Sequence, residues 1–164
     1  DVIKAMNGKT VEIGNTDAEG RLLLMDGLCY ANKLKPRVTI DLATLTGAVK
    51  YALGNLYSGA FTEKDELWEV MNKAGNNSGD KVWRLPCEED YDRFIKGEVA
   101  DWSNSGRGTA GSVTASRFLE KFAPENWIHL DIAGSARIDE DFEYFRKGTS
   151  GAGIRLLVEY LSNS

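Results

Sequence analysis

The chain has 164 residues, of which 42% are hydrophobic and 27% are charged, the composition of an ordinary globular domain. Its 20 Lys and Arg residues are outnumbered by 25 Asp and Glu residues, and no basic run compensates locally, which argues against nucleic acid as the main partner. The sequence contains no apolar stretch long enough to span a bilayer and no signal-peptide pattern, so we expect a cytoplasmic protein without a membrane partner. Cys29 and Cys87 lack CxxC spacing, which excludes a thiolate zinc site.

Hydrophobic spacing predicts alternating strands and helices along the chain. The first half predicts strands over 10–15, 37–45 and 56–61, and helices over 21–34, 46–54 and 63–75. The second half predicts helices over 88–97, 112–122 and 150–161, and a strand over 127–134. We expect the first helix to be mostly buried and the strand over 37–45 to be covered on both faces. This order of elements predicts one α/β layered domain.

A glycine-rich loop over 101–112 contains a possible nucleotide-binding pattern. Gly106, Gly108 and Gly111 satisfy G-x-G-x-x-G, and Asp131 lies about twenty residues downstream, as a dinucleotide site requires. However, Trp102, Ser103 and Asn104 precede them where an apolar strand belongs. A loop that is capped onto the next helix at Ser112 is therefore the favoured interpretation. A titration with ATP and NAD would test nucleotide binding.

His129 is the only histidine of the chain, and its neighbours place it in the middle of a strand. We expect a hydrogen-bonded structural histidine there. Because the sequence also lacks a G-x-S-x-G motif, it argues against a Ser or Cys catalytic triad.

The segment NTDAEGRL, 15–22, places two carboxylates two positions apart and a cation directly after them. On an extended segment Asp17 and Glu19 would point the same way, and they would repel each other unless a positive charge lay between them. Carboxylates on a loop between a strand and a helix suit Mn, Mg or Zn. Spacing alone favours another interpretation, in which Asp17 caps the following helix and Arg21 neutralises the pair.

Several motifs together resemble the leucine aminopeptidase (cytosol aminopeptidase) family of two-metal peptidases. NTDAEGRL matches the family signature completely. Further matches follow in the family's order: DLATLTGA from Asp41, ALG at Ala52, WRLP at Trp83, Tyr91, AD at Ala100, HLDIAG from His129 and GTSGAGIRLL from Gly148. The resemblance covers essentially the whole chain, and it implies a three-layer mixed β-sheet flanked by helices.

The resemblance implies a two-metal centre at the NTDAEGRL segment. Asp17 and Glu19 would be metal ligands, with Glu19 bridging two divalent ions, either Mn or Zn with Mg as a further option. Arg21 would hold a bicarbonate ion that assists as general base toward the attacking water.

The resemblance also implies how a peptide substrate would bind. Its backbone would be hydrogen-bonded by the backbones of Thr44, Leu45 and Gly47. The pocket for its first side chain would be lined by Asn15, Ala133 and Ala136. Because some family members carry a larger residue where Ala136 stands, the side-chain preference is left open.

Other residues that the family uses are not found in this chain. An earlier segment of family members supplies a metal-binding Lys, two further Asp ligands and a catalytic Lys, whereas residues 1–14 show no equivalent pattern. We therefore expect residues 1–164 to be the C-terminal half of a catalytic domain, inactive alone, with the N-terminal domain absent. The alternative is a non-catalytic oligomerisation module that retains the family's hexamer contacts, which a stable trimer in light scattering would favour.

Overall fold

The computed structural model describes residues 1–141 and 145–163 as short strands and helices in alternation. The strands are β1 (Val2–Lys4), β2 (Thr10–Glu12), β3 (Thr39–Ala43), β4 (Ser58–Phe61), β5 (Val82–Arg84), β6 (Trp102–Ser103), β7 (Trp127–Asp131), β8 (Arg137–Ile138) and β9 (Gly148–Thr149). The helices are α1 (Glu19–Leu34), α2 (Gly47–Leu53), α3 (Asp65–Ser78), α4 (Gly111–Glu120) and α5 (Ile154–Ser162). Two 3-10 helices span Thr16–Ala18 and Glu89–Phe94.

The chain divides into two compact units. One consists of Asp1–Thr39 and Pro86–Trp127, and the other of Ile40–Leu85 and Ile128–Ser164. Each unit is therefore built from two separate stretches of the chain.

The first unit contains a three-stranded sheet in the order β1-β2-β6. β1 runs antiparallel to β2, and β6 runs parallel to β2 with Trp102 opposite Val11. Helix α1 packs against α4, which is buried along nearly its whole length. The core of this unit is formed by Val11, Met25, Leu28, Ile95, Phe118, Leu119 and Phe122.

The second unit contains most of a four-stranded sheet in the order β3-β7-β4-β5. β4 runs antiparallel to β7 and parallel to β5, and both β4 and β7 are buried at every residue. Helices α3 and α5 pack against each other, and their buried side chains include Leu67, Met71, Leu156 and Tyr160. A short antiparallel ribbon of β8 and β9 completes the unit.

These elements confirm the predicted mixed α/β fold, with several sheets flanked by helices. The helix predicted over 88–97 is wrong, because the structure has the shorter 3-10 helix there. Its Asp92 is bound by Arg117 of α4, a tertiary contact that outweighs helix propensity. The expectation that the strand over 37–45 is covered on both faces is also wrong, because each of the five residues of β3 is only half-buried.

Helix α1 differs from its prediction in extent and burial. It begins at Glu19, two residues earlier than predicted, and Leu23 and Leu34 remain 77% and 65% exposed. Only the stripe with Met25, Leu28 and Cys29 is buried, because the apolar residues of α1 cover more than the one face that packs inside its unit. Among the residues that the structure describes, no helix is long and apolar enough to cross a membrane.

Candidate functional site

The NTDAEGRL segment folds as a capped 3-10 turn that runs directly into α1. Asn15 is extended, with φ −146°, and its Oδ1 accepts a hydrogen bond of 2.9 Å from the backbone N–H of Asp17. The residue that precedes α1 is Ala18, which provides no side-chain cap. The interpretation of Asp17 as the helix cap is therefore wrong, because Asn15 caps the 3-10 turn and α1 itself has no side-chain cap. Asp17 lies in the 3-10 turn and Glu19 begins α1, so the two carboxylates do not lie on an extended segment.

The loop before α1 is held by the side chain of Asn104, which is fully buried. Its Oδ1 accepts hydrogen bonds from the backbone N–H groups of Gly14, at 2.9 Å, and Asn15, at 3.2 Å. Its Nδ2 donates to the carbonyl oxygens of Asn15, at 2.7 Å, and Ala18, at 3.4 Å. The carbonyl of Asn104 also accepts a hydrogen bond of 2.7 Å from Nη1 of Arg21. One residue thus fixes both the backbone of the loop and the guanidinium group that follows it.

The side chains of Asp17 and Glu19 are exposed, and neither carboxylate forms an ion pair or hydrogen bond among residues 1–141 and 145–163. Exposed, uncommitted carboxylates are the hard oxygen donors that divalent cations prefer, so these two residues fit a metal. Within the described part of the chain, however, no three His, Cys, Asp or Glu side chains come together as a metal site. Among the described residues, Asp17 and Glu19 would therefore supply only part of a set of metal ligands, and their role as ligands remains a prediction.

The predicted substrate-binding residues of DLATLTGA lie between β3 and the start of α2. Thr46 is the N-terminal cap of α2, and its Oγ1 accepts a hydrogen bond of 3.3 Å from the backbone N–H of Val49. The backbone N–H of Leu45 donates to Oδ1 of Asp131 at 3.1 Å. A hydrogen bond from Leu45 to a substrate would therefore have to use its carbonyl oxygen.

The predicted pocket residues of the second unit, Ala133 and Ala136, lie on the turn that follows β7. The backbone N–H of Ala136 donates to the carbonyl of Ile132 at 2.8 Å, which closes the turn. Between them, Gly134 approaches α2 so closely that a Cβ on it would lie 2.1 Å from the carbonyl oxygen of Gly54. Only glycine fits at this position without a shift of the backbone.

The structure gathers the predicted site residues in two groups. Asn15, Asp17, Glu19 and Arg21 lie on one loop and helix start of the first unit. Thr44, Leu45, Ala133 and Ala136 lie on two loops of the second unit, and Gly47 begins the helix that follows the first of these loops. The sequence did not indicate that Asn104 and Asp131 hold these loops by hydrogen bonds. A polar Asn104 in a place where an apolar residue belongs was the signal that could have indicated the first of them.

His129 is confirmed as a buried, hydrogen-bonded histidine of the strand β7. Its Nδ1 lies 2.6 Å from Oδ1 of Asp41, and its ring stacks on Phe61 with the centroids 5.9 Å apart. In the glycine-rich loop, a Cβ on Gly106 would lie 2.6 Å from Oγ1 of Thr114, so packing explains this glycine. The cap predicted at Ser112 is wrong, because α4 begins at Gly111 after Ala110, whose φ is +60°. Nucleotide binding stays an untested alternative.

A buried ion-pair network in the first unit also escaped the sequence argument. Arg117, 1% exposed, binds Asp92 with Nε to Oδ1 at 2.8 Å, donates to the carbonyl of Cys87 at 2.7 Å and pairs with Glu120. Burial raises the pKa of the Cys87 thiol to about 11, and the charge of Glu120 adds to this effect. Burial and a raised pKa both argue against Cys87 as a nucleophile, since the thiolate is the reactive form. This network therefore serves the fold of its unit.

Comparison with known proteins places these features in one family. The protein-family model described as the cytosol aminopeptidase family, catalytic domain, matches residues 1–158. A probable cytosol aminopeptidase of Chlorobium limicola is 53% identical over 164 residues, and the cytosol aminopeptidase of Dictyostelium discoideum is 48% identical over 163 residues. Each alignment covers 98% of this chain but only 32% and 31% of the two relatives.

A solved structure shows the same fold. A mutant of tomato leucine aminopeptidase superimposes with a TM-score of 0.93 and is 45% identical. The match covers 100% of this chain and 32% of the tomato chain. The chain thus spans about a third of the length of the proteins it resembles.

Proposed function

Because the chain belongs to the cytosol aminopeptidase family, we propose that it forms the later part of an aminopeptidase catalytic domain. The parent enzyme would release N-terminal residues, leucine and similar ones, from peptides in the cytoplasm. The observation that carries this proposal is the NTDAEGRL loop, which Asn104 holds rigidly while the carboxylates of Asp17 and Glu19 are left exposed. A cap or a structural ion pair would have engaged those carboxylates.

Asp17 and Glu19 would hold the divalent ions, Mn or Zn, of the proposed centre. When bound, such ions supply Lewis acidity toward a peptide carbonyl and lower the pKa of a water molecule. The chain itself would position the ligands, because the capped 3-10 turn at Thr16–Ala18 fixes the backbone from which the two carboxylate side chains extend. Arg21, oriented by its hydrogen bond to the carbonyl of Asn104, would hold the bicarbonate ion.

The second unit would contribute substrate binding. The backbones of Thr44, Leu45 and Gly47 would hydrogen-bond the peptide, with Leu45 using its carbonyl oxygen because its N–H is bound to Asp131. Ala133 and Ala136 are small, so their part of the wall leaves room for the first side chain of the substrate. We also retain Asn15 as a predicted substrate-binding residue. We further propose that the parent assembles as a hexamer.

We propose that residues 1–164 alone do not turn over substrate. Two carboxylates are a partial ligand set, and divalent ions in catalytic sites need more protein ligands to be held in place. The test is hydrolysis of leucine p-nitroanilide with added Mn²⁺, measured for this chain and for the parent protein side by side. We expect turnover by the parent only. A parent without activity would overturn the proposed function, and rapid turnover by residues 1–164 would overturn the incomplete site.

A further inference from the structure

Asp131, the last residue of β7, is a buried carboxyl group that binds two separate loops of the second unit. It is 1% exposed. Its Oδ1 accepts hydrogen bonds from the backbone N–H groups of Leu45 at 3.1 Å, Thr46 at 3.4 Å and Ala133 at 3.1 Å. Its Oδ2 accepts a hydrogen bond of 2.6 Å from the hydroxyl of Thr46. Burial of a carboxyl group is costly without such donors, so both loops are bound to one group in one geometry.

The hydrogen bonds of Asp131 continue into helix α2. The Thr46 hydroxyl that donates to Asp131 also accepts from the backbone N–H of Val49, in the first turn of the helix. Asp131 therefore sets the start of α2 as well as the loop before it. The chain separation is 86 residues between Asp131 and Leu45 but only two between Asp131 and Ala133. Asp131 thus joins a distant loop to its own.

We propose that Asp131 is a positioning residue for peptide binding, an inference that rests on the proposed function. The residues expected to meet the substrate in this unit all lie on the two loops that Asp131 joins or, in the case of Gly47, at the start of the helix that follows the first loop: Thr44, Leu45, Gly47, Ala133 and Ala136. The four hydrogen bonds of Asp131 go to these loops, so it acts through their backbone. Loss of the carboxyl group would let the hydrogen-bonding backbone at 44–47 and the pocket wall at 133–136 move independently.

The test uses the parent enzyme with three substitutions. Asp131→Leu removes every acceptor, whereas Asp131→Asn retains an oxygen for the backbone N–H groups and an amide that donates to the Thr46 hydroxyl. Asp80→Leu is the matched control. Asp80 is 6% exposed in the same unit, and its Oδ2 accepts the backbone N–H groups of Gly153 at 2.7 Å and Leu156 at 3.4 Å, away from the two loops.

We expect Asp131→Leu to raise KM for leucine p-nitroanilide by about tenfold or more while kcat falls by less than about threefold, because binding contacts are lost alike in the ground and transition states. Asp131→Asn and Asp80→Leu should leave KM within about threefold of the unsubstituted enzyme. An unchanged KM for Asp131→Leu would overturn the proposal. An equal rise in KM for Asp80→Leu would do so too, since general loss of stability would then explain both.

Two further measurements keep the proposal testable if a variant fails to fold or the parent proves inactive. Should Asp131→Leu not fold, Thr46→Val removes the hydroxyl that joins Asp131 to the first turn of α2, and it should raise KM by at least about threefold. An unchanged KM for Thr46→Val would count against the proposal. If the parent proves inactive, amide hydrogen exchange measured in the parent protein tests the positioning role of Asp131 separately from the proposed function. Faster exchange at Leu45, Thr46 and Ala133 in Asp131→Leu than in Asp80→Leu would support the positioning role of Asp131, and equal exchange in the two variants would refute it.

Discussion

Asn104 in the first unit and Asp131 in the second each hold a loop through buried polar atoms. The amide of Asn104 has its oxygen against two N–H groups and its nitrogen against two carbonyls, so each of its polar atoms is matched. A buried amide that is satisfied in this way permits one orientation only, because a rotated amide would face like groups. At the scale of single residues, the geometry of the candidate site depends on these supports and less on Asp17 or Glu19.

We expect Asn104→Ala to lower the free energy of unfolding by ~3 kcal/mol, because it removes the hydrogen bonds to the backbone of Gly14, Asn15 and Ala18 and leaves a cavity where a fully buried side chain stood. Urea denaturation measures the loss, and amide exchange at Gly14 and Asn15 should become faster. Asn32→Ala, at an exposed position of α1, is the control and should change stability by less than ~0.5 kcal/mol. Equal stability of the two variants would contradict the role of Asn104.

The ion pairs of Asp92 predict a specific dependence of stability on pH. Burial would raise the pKa of Asp92, but hydrogen bonds from Arg117 and Lys121 outweigh it and hold the pKa below its ordinary value. A depressed pKa in the folded state means that Asp92 stabilises the fold above the pKa of an unfolded carboxyl, about 3.9, and that this contribution is lost as pH falls through the folded value.

At pH 7 we therefore expect Asp92→Asn to lower the free energy of unfolding by about 3 kcal/mol, since Arg117 stays buried with one partner fewer. The difference from the unsubstituted protein should shrink as pH falls below about 4. Asp65→Asn breaks an exposed pair with Arg84 and should cost less than about 1 kcal/mol. Urea denaturation between pH 3 and 7 gives both quantities, and a difference for Asp92→Asn that is constant with pH would refute the argument.

At the scale of elements, two glycines of the chain have opposite physical roles. Gly134, in the turn after β7, lies against the carbonyl of Gly54 at the end of α2. Gly27 lies within α1, and a Cβ on it would have no neighbour within 4 Å. The first glycine allows two segments to approach closely, whereas the second only adds freedom to the unfolded chain.

We therefore expect Gly134→Ala to destabilise the protein by at least ~2 kcal/mol, because the backbone of the turn or of α2 must shift. Gly27→Ala should stabilise it by ~0.5–1 kcal/mol through helix propensity. Thermal denaturation of the two variants gives the sign of each effect. The opposite order of stability would show that the turn after β7 adapts without strain.

The element boundaries also show what the sequence could and could not predict. Strands such as β4 and β7 are predictable because each lies in a short stretch rich in apolar residues. Both strands are buried at every residue, so packing agrees with that pattern. The 3-10 helix at Glu89–Phe94 and the exposed face of α1 are not predictable in this way, because they depend on Arg117 and on which helix faces pack. Local pattern predicts an element well only where packing agrees with it.

At the scale of the whole molecule, the proposed roles of the site residues rest on a different kind of information. The match of NTDAEGRL and HLDIAG to a known family assigns roles to Asp17, Glu19 and Ala133 that spacing leaves open. The contacts that hold these segments join Asn104 to Gly14, 90 residues away, and Asp131 to Leu45, 86 residues away. No local pattern of residues carries such long-range pairs, so they become visible only in the folded chain.

We propose that the carboxylate of Glu19 holds divalent metal for peptide hydrolysis in the parent enzyme. The most direct test of this proposal is to measure turnover of leucine p-nitroanilide and bound metal per chain for Glu19→Ala, with Glu69→Ala, an exposed carboxylate of α3, as the matched control. We predict that Glu19→Ala loses turnover and bound metal while its melting temperature stays close to that of the control. A Glu19→Ala enzyme with full turnover and unchanged metal content would contradict the proposed role of Glu19 as a metal ligand.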